Sequence, residues 1–359
     1  MIKADHFMRN SLVVAQEAPP GDAALVDLVM DPEFGQGGAL DQVLVSRSIE
    51  AKQRLFDGLV EPIAPLYVSS YCREHCTYCN YRAGNKAQGI VRKRLSDNEL
   101  RREVAYLAEE KGLRFIELVY ASDPHLRHGD MARHVAIVRE TLEGYGGGKV
   151  GLSAEPLTAD EYRALRDAGL DLCVLWMETY DQEQYRATHP GLGAKSNQQN
   201  RIEAYQRMLQ AGIPEIGMGV LSGLGPWRQD WYALMQHELL LRQRYGRGAA
   251  VLGIPRMQPA AGALRTESPY RPNDRQFRAL IALHNLFAPD CRPFISTREE
   301  FEFCVELAQG GGCLFTFNCS TIPGGYTLGS QGYQFRTGDY DAPLFRPLLE
   351  QAQLRVLDY

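Results

Sequence analysis

Apolar and polar positions alternate along this chain in blocks rather than residue by residue. Short continuous apolar runs are followed by segments in which apolar residues recur every three or four positions, the periods of a buried strand and an amphipathic helix. After the break Gly35-Gln36-Gly37-Gly38, the pattern predicts a helix over 40–59. A strand is predicted over 65–70, then a helix over 96–112 opened by Ser96 with Glu99 three residues on, a capping box. The rhythm continues with strand 115–121, helix 131–145, strand 149–155, and a helix capped by Thr158 and Glu161 that stops at Gly169. Strand 172–179 leads to helical pieces up to Gly212; strand 216–221 leads to a long helix from about 229 to 245. Strand 251–257 precedes helix 274–287, strand 293–297 precedes helix 299–309, and 314–317 forms the eighth strand.

Eight strand–helix alternations between Pro65 and Ser320 match the roughly 250 residues of a (β/α)8 barrel. The strands are apolar throughout, as expected of parallel strands covered by helices. The expected fold is therefore α/β, a single TIM-type barrel with an N-terminal helical lead-in (1–60), the barrel (61–322) and a short C-terminal extension packing on it (323–359). An open doubly wound sheet is the rival architecture. In a barrel, chemistry gathers at the C-terminal strand ends. Those ends carry Cys72, Cys76 and Cys79, then Ser122 and Asp123, Glu155, Glu178, Ser222 and Gly223, Arg256, Arg298, and the stretch Thr316 to Ser320.

Composition narrows the class. A net charge of −5 over 359 residues gives no support to a nucleic-acid partner. The densest apolar run, 172–177, is far shorter than a membrane span and stops at Glu178. The start Met1-Ile2-Lys3-Ala4-Asp5-His6 lacks the apolar segment of a signal peptide. A soluble, cytoplasmic protein is expected. Eight cysteines are too dilute for a disulfide scaffold, yet three of them fall within eight residues.

Cys72-x3-Cys76-x2-Cys79 follows the first strand. Three thiolates on one short loop can hold three irons of a cubic 4Fe–4S cluster and leave the fourth open to a small molecule. Structural zinc, which takes four ligands, and a redox dithiol are the competing readings. Glu178 and Glu155 each close an apolar strand, a costly place for a carboxylate without a partner or ligand. Arg298, at the end of the seventh strand, offers a planar, permanently charged fork suited to an amino acid carboxylate. Arg256 is a second anion-binding or gating group, or else a structural ion pair.

The octapeptide Cys72-Arg73-Glu74-His75-Cys76-Thr77-Tyr78-Cys79 resembles the radical S-adenosylmethionine (SAM) superfamily. Residues 64–71, Gly84-Asn85-Lys86, Met177-Glu178-Thr179-Tyr180, Gly219 to Leu224, Ile254 to Ala260, Ser296-Thr297-Arg298-Glu299 and Ser320 to Tyr326 are similar, in order, to its aromatic amino acid lyase branch. The resemblance covers roughly 60–345. It implies a 4Fe–4S cluster on the three cysteines, SAM on its open iron, and a 5′-deoxyadenosyl radical that attacks a small amino acid. Tyrosine is favoured, giving p-cresol and dehydroglycine; a tryptophan lyase or a cofactor-assembly enzyme is the alternative. It implies a reductant partner such as flavodoxin or ferredoxin.

It further implies that Tyr78, Val220 and Leu221 lie near adenine, although the last two read equally as core. Glu178 and Arg186 would meet SAM's polar groups, and Thr316 and Tyr67 would face the substrate. The usual Gly-Glu after strand two is replaced by Ala121-Ser122, so either Ser122 and Asp123 take over its contact with SAM, or SAM is held differently, or the reaction has drifted. No cysteine-rich segment follows the barrel, which disfavours a maturase with a second cluster.

Overall fold

The computed structural model describes residues 10–86, 91–127 and 129–359; the first residues, on which the signal-peptide reading rests, lie outside these. Three helices, α1 (Ser11–Glu17), α2 (Ala23–Asp27) and α3 (Ala39–Phe56), precede the barrel. The alternation then runs β1 (Leu59–Ser69), α4 (Asp97–Lys111), β2 (Phe115–Tyr120), α5 (Asp130–Glu143), β3 (Lys149–Ser153), α6 (Ala159–Asp167) and β4 (Leu172–Val174). It continues with α7 (Gln182–Thr188), α8 (Gln198–Ala211), β5 (Glu215–Gly219), α9 (Trp227–Tyr245), β6 (Val251–Gly253), α10 (Asp274–Phe287), β7 (Arg292–Ile295), α11 (Phe301–Leu307) and β8 (Cys313–Thr316). A last helix α12 (Ala342–Gln351) and a short strand β9 (Arg355–Val356) complete the chain.

Strands β1 to β8 are parallel and pair in sequence order, and β1 also pairs with β8, so the barrel is closed. The expected capping boxes form: Ser96 with Glu99 opens α4, and Thr158 with Glu161 opens α6. The strand ladders are shorter than the apolar runs suggested. β4 ends at Val174 rather than near 179, and β6 ends at Gly253 rather than near 257. Beyond those points the chain stays buried because it lines the barrel mouth, so apolar content outruns the hydrogen-bonded ladder.

One end of the barrel is shut. Ile63, Phe115, Leu172, Val174, Val251 and Leu314 pack inside it with Trp176, Phe294 and Tyr359. Arg292, Glu61, Lys149 and Glu215 form an ion network around the strand starts. The other end is open and holds a cavity lined by both polar and aromatic side chains. Trp176 lies across this interior over Gly253, where any Cβ would collide with the indole. The lead-in helices pack outside against α9 and α10, with Arg228 donating to the carbonyls of Val29, Asp31 and Phe34. No described helix is long and apolar enough to cross a membrane.

Candidate active site

The loop after β1 brings its cysteines to the barrel mouth. Backbone hydrogen bonds tie it down: Arg73 N–H donates to Ser122, Thr77 N–H to Thr188, and Leu264 N–H to the Thr77 carbonyl. Cys76 is buried, while Cys72 and Cys79 are half-buried, and all eight cysteines are free thiols. Burial pushes the Cys76 thiol up to about 12 and raises Cys79 as well. Gln334 Nε2 donates to Cys79 Sγ at 3.3 Å. Among the described residues, the Cys72, Cys76 and Cys79 sulfurs form no trio within 4.8 Å of one another. Tetrahedral zinc, with Zn–S near 2.3 Å, would need them roughly 3.8 Å apart. The wider spread suits a polynuclear cluster.

One cavity collects the rest. Its wall is formed by Tyr67 on β1, Glu117 on β2, Trp176 and Glu178 after β4, Arg298 after β7 and Thr316 on β8, with Tyr78 and Cys79 at the cysteine loop. Arg298 lies flat on Phe335, its guanidinium carbon 3.5 Å from the ring centroid. It makes no ion pair with a described carboxylate; its one side-chain hydrogen bond is a long contact of 3.4 Å to the Arg256 carbonyl. Burial lowers its pKa, the signature of a cation in a poorly solvated place. Tyr67 OH donates to Gln334 Oε1 at 2.7 Å, and Thr316 Oγ1 donates to the Ile295 carbonyl at 2.8 Å. Glu178 holds a left-handed backbone with φ of 68°, unusual outside glycine, and pairs with the buried Arg201 at 3.4 Å.

The chain also matches known proteins. The model of the radical SAM superfamily matches residues 66–234. The 2-iminoacetate synthase of Escherichia coli strain K12 is 32% identical over 296 residues, covering 80% of this chain and 74% of that protein. The chain belongs to the radical SAM superfamily. The crystal structure of the FeFe-hydrogenase maturase HydG from Carboxydothermus hydrogenoformans superposes with a TM-score of 0.86 at 25% identity, over 97% of this chain and 78% of that one. A methylornithine synthase shares the fold, with a TM-score of 0.72 at 20% identity over 97% of both chains. Like other radical SAM enzymes, this one uses a 4Fe–4S cluster and SAM.

The structure sorts the residues singled out from the sequence. Tyr67, Tyr78, Cys79, Glu178, Leu221, Arg298 and Thr316 share the cavity. Arg256 does not. It is buried, with its guanidinium bonded to both Glu299 oxygens and to Asp274 at 2.6 Å, the structural pair the sequence left open. Arg186 is exposed on α7 and bonds within its own helix, away from the cavity. Val220 is fully buried core. Asp123 is held by a bidentate contact from Arg94, at 2.6 and 2.7 Å, and by Ser69 Oγ at 2.5 Å. Ser122 Oγ is buried without a partner among the described residues. Glu155 pairs with Arg73 at 2.7 Å, beside Asp123 in a neighbouring groove between α5 and α6.

Several cavity groups escaped sequence reasoning. Lys195, between α7 and α8, lines the cavity; burial disfavours its ammonium, but the Cys76 and Cys72 sulfurs nearby more than offset this and raise its pKa. Arg201 could have been found, since it interrupts the buried face Ala204, Tyr205 and Met208 of α8. Glu117 was equally visible as a carboxylate inside the apolar run of β2. Gln334 and Phe335 belong to the C-terminal extension, and nothing in their local sequence shows that they reach the barrel mouth.

Proposed function

We propose that this radical SAM enzyme is a lyase for an aromatic amino acid, with tyrosine cleaved between Cα and Cβ to p-cresol and dehydroglycine. Dehydroglycine is 2-iminoacetate, the product for which its bacterial relatives are named. The observation that carries the reading is Arg298, a cavity-facing guanidinium with no carboxylate partner among the described residues, in the same chamber as the cysteine loop. An incoming α-carboxylate completes it.

Cys72, Cys76 and Cys79 would hold the cluster, which together with SAM supplies one electron and a 5′-deoxyadenosyl radical able to take hydrogen from the substrate amine. Tyr78, Leu221, Leu224 and Met257 pack as an apolar ledge beside the loop, a seat for adenine. Tyr78 is fixed there by its hydroxyl against His189 Nε2 at 2.9 Å. Glu178 and Lys195 present opposite charges to the ammonium and carboxylate of SAM. Arg298 binds the substrate carboxylate, held in plane by Phe335, with Thr316 alongside. Tyr67 and Trp176 border the ring and exclude water from the reacting amine. Free thiols throughout support a reducing, cytoplasmic setting, with a flavodoxin- or ferredoxin-type electron donor.

The test is anaerobic. Protein loaded with iron and sulfide receives SAM, dithionite and one amino acid, and the products are 5′-deoxyadenosine with p-cresol for tyrosine. Deoxyadenosine formed only with tryptophan would move the assignment to that substrate. Its absence with every amino acid would overturn the lyase reading.

A further inference from the structure

We propose that Glu117 sets the side-chain specificity of the cavity by hydrogen-bonding a donor at the far end of an aromatic substrate ring, a phenol hydroxyl or an indole N–H. This deepens the lyase reading and rests on it. Glu117 sits in the middle of β2, where Phe115, Glu117 and Val119 face the barrel interior while Ile116 and Leu118 face the helices. The residue is only 4% exposed, and its carboxyl forms no hydrogen bond or ion pair with any described residue.

Its neighbours explain the isolation. Across the ladders it registers with Pro65 on β1 and Gly151 on β3, a ring without a polar atom and a residue without a side chain. Trp176 and Phe294 border the same cavity, packed edge-to-face at 6.1 Å. Burial is the sole influence on its acidity and raises its pKa to about 8, so the acid is neutral at neutral pH.

An unpartnered carboxyl in the core is costly unless something else supplies the partner. Here the cavity does. Glu117 and Arg298 form no ion pair, and neither figures among the electrostatic influences on the other. Both line one chamber, one suited to a carboxylate and one to a donor, together with the rings of Tyr67, Trp176 and Phe294. An amino acid whose flat ring carries a donor at its tip offers a partner to each. A purely hydrocarbon ring would leave the carboxyl unsatisfied, and sites of this kind reject the analogue that lacks the donor.

The experiment measures binding to anaerobic, cluster-loaded protein with SAM present, by calorimetry, for tyrosine, tryptophan, phenylalanine and 4-methylphenylalanine. The last matches tyrosine in size and lacks the donor. Tyrosine or tryptophan should bind about 100-fold more tightly than the two hydrocarbon rings. Glu117→Leu should shrink that ratio to about threefold, and Glu117→Gln, which keeps a hydrogen-bonding tip, should retain most of it. KM for deoxyadenosine formation should move with the binding constants while kcat changes less. Equal binding of tyrosine and 4-methylphenylalanine by the wild-type protein overturns the proposal without recourse to any variant, as does an undiminished preference in Glu117→Leu. A Glu117-dependent preference without p-cresol would sink the cleavage chemistry and leave the specificity assignment standing. No binding of any amino acid overturns both.

Discussion

Replacing Arg298 by alanine isolates the contact on which the proposed chemistry depends. The guanidinium is half-buried, stacked on Phe335 at 3.5 Å, and has no carboxylate partner among the described residues. Its removal therefore orphans no protein charge, and the fold should lose little beyond a stacking contact of about 1 kcal/mol. The ligand is affected differently. Truncating one side of a desolvated, hydrogen-bonded charge pair costs roughly 2–5 kcal/mol. At about 1.4 kcal/mol per decade, that is ~30- to 4000-fold in affinity. The cavity opens at the barrel mouth, so a stranded carboxylate can recover some water; the expected loss lies in the lower half, about 100-fold. Arg298→Lys keeps the charge and loses the planar fork, and should recover about tenfold of this. The assay is tyrosine affinity on cluster-loaded protein, paired with a thermal melt. Tyrosine bound by Arg298→Ala within threefold of wild type, or a melt as damaged as that of an ion-pair variant, would refute the reasoning.

Arg256→Ala supplies that comparison: it strands the buried Glu299 and should cost about 3–5 kcal/mol of stability, read from denaturant unfolding. Serine at Cys72, Cys76 or Cys79 should each abolish the brown absorption of the reconstituted protein and its SAM cleavage, whereas Cys304→Ser, distant on α11, should preserve both. Glu117 should make folding stability depend on pH. Its folded pKa is about 8, above the 4.5 of a solvated glutamate, so the unfolded chain loses the proton first and stability falls as pH rises from about 4.5 to 8, then levels. Cys173 and Cys319, which share its surroundings, are pushed up to about 12 and about 11 and do not titrate in that window. Glu117→Gln should therefore gain stability over wild type at pH 8.5 and little at pH 4, by a few kcal/mol in denaturant midpoints.

Local signals explain what the sequence made legible. Ser96 and Thr158 announce α4 and α6 because a capping box is complete within four residues. The ends of β4 and β6 were misplaced because burial continues into the cavity wall after the ladder stops. The first half of β1 was missed: the predicted strand opened only at Pro65, whereas the ladder runs from Leu59 and holds Pro62 as well as Pro65 inside it. For the site, Arg256 and Arg298 looked alike, each an arginine at a strand end. What separates them is the company brought by folding: Asp274 and Glu299 converge on Arg256 from other segments, while Arg298 stacks on Phe335 from the C-terminal extension and meets no carboxylate among the described residues. No local pattern encodes that difference.

The same distinction gives the cavity its meaning. Several buried charges are satisfied within the protein: Glu238 with His284 and Arg242, Asp123 with Arg94, Glu61 with Arg292 and Lys149, Arg256 with Glu299. Lys52, wholly buried, is matched by the carbonyls of Pro289, Cys291 and Gly312. Desolvating a charge without compensation is expensive, so such pairing is what stability alone demands. Arg298 and Glu117 lack such a partner among the described residues, in one chamber, with opposite preferences. A ligand that carries an anion at one end and a donor at the other satisfies both at once. A hydrocarbon amino acid would satisfy only the first, which is why the 4-methylphenylalanine comparison bears on the whole arrangement rather than on one side chain.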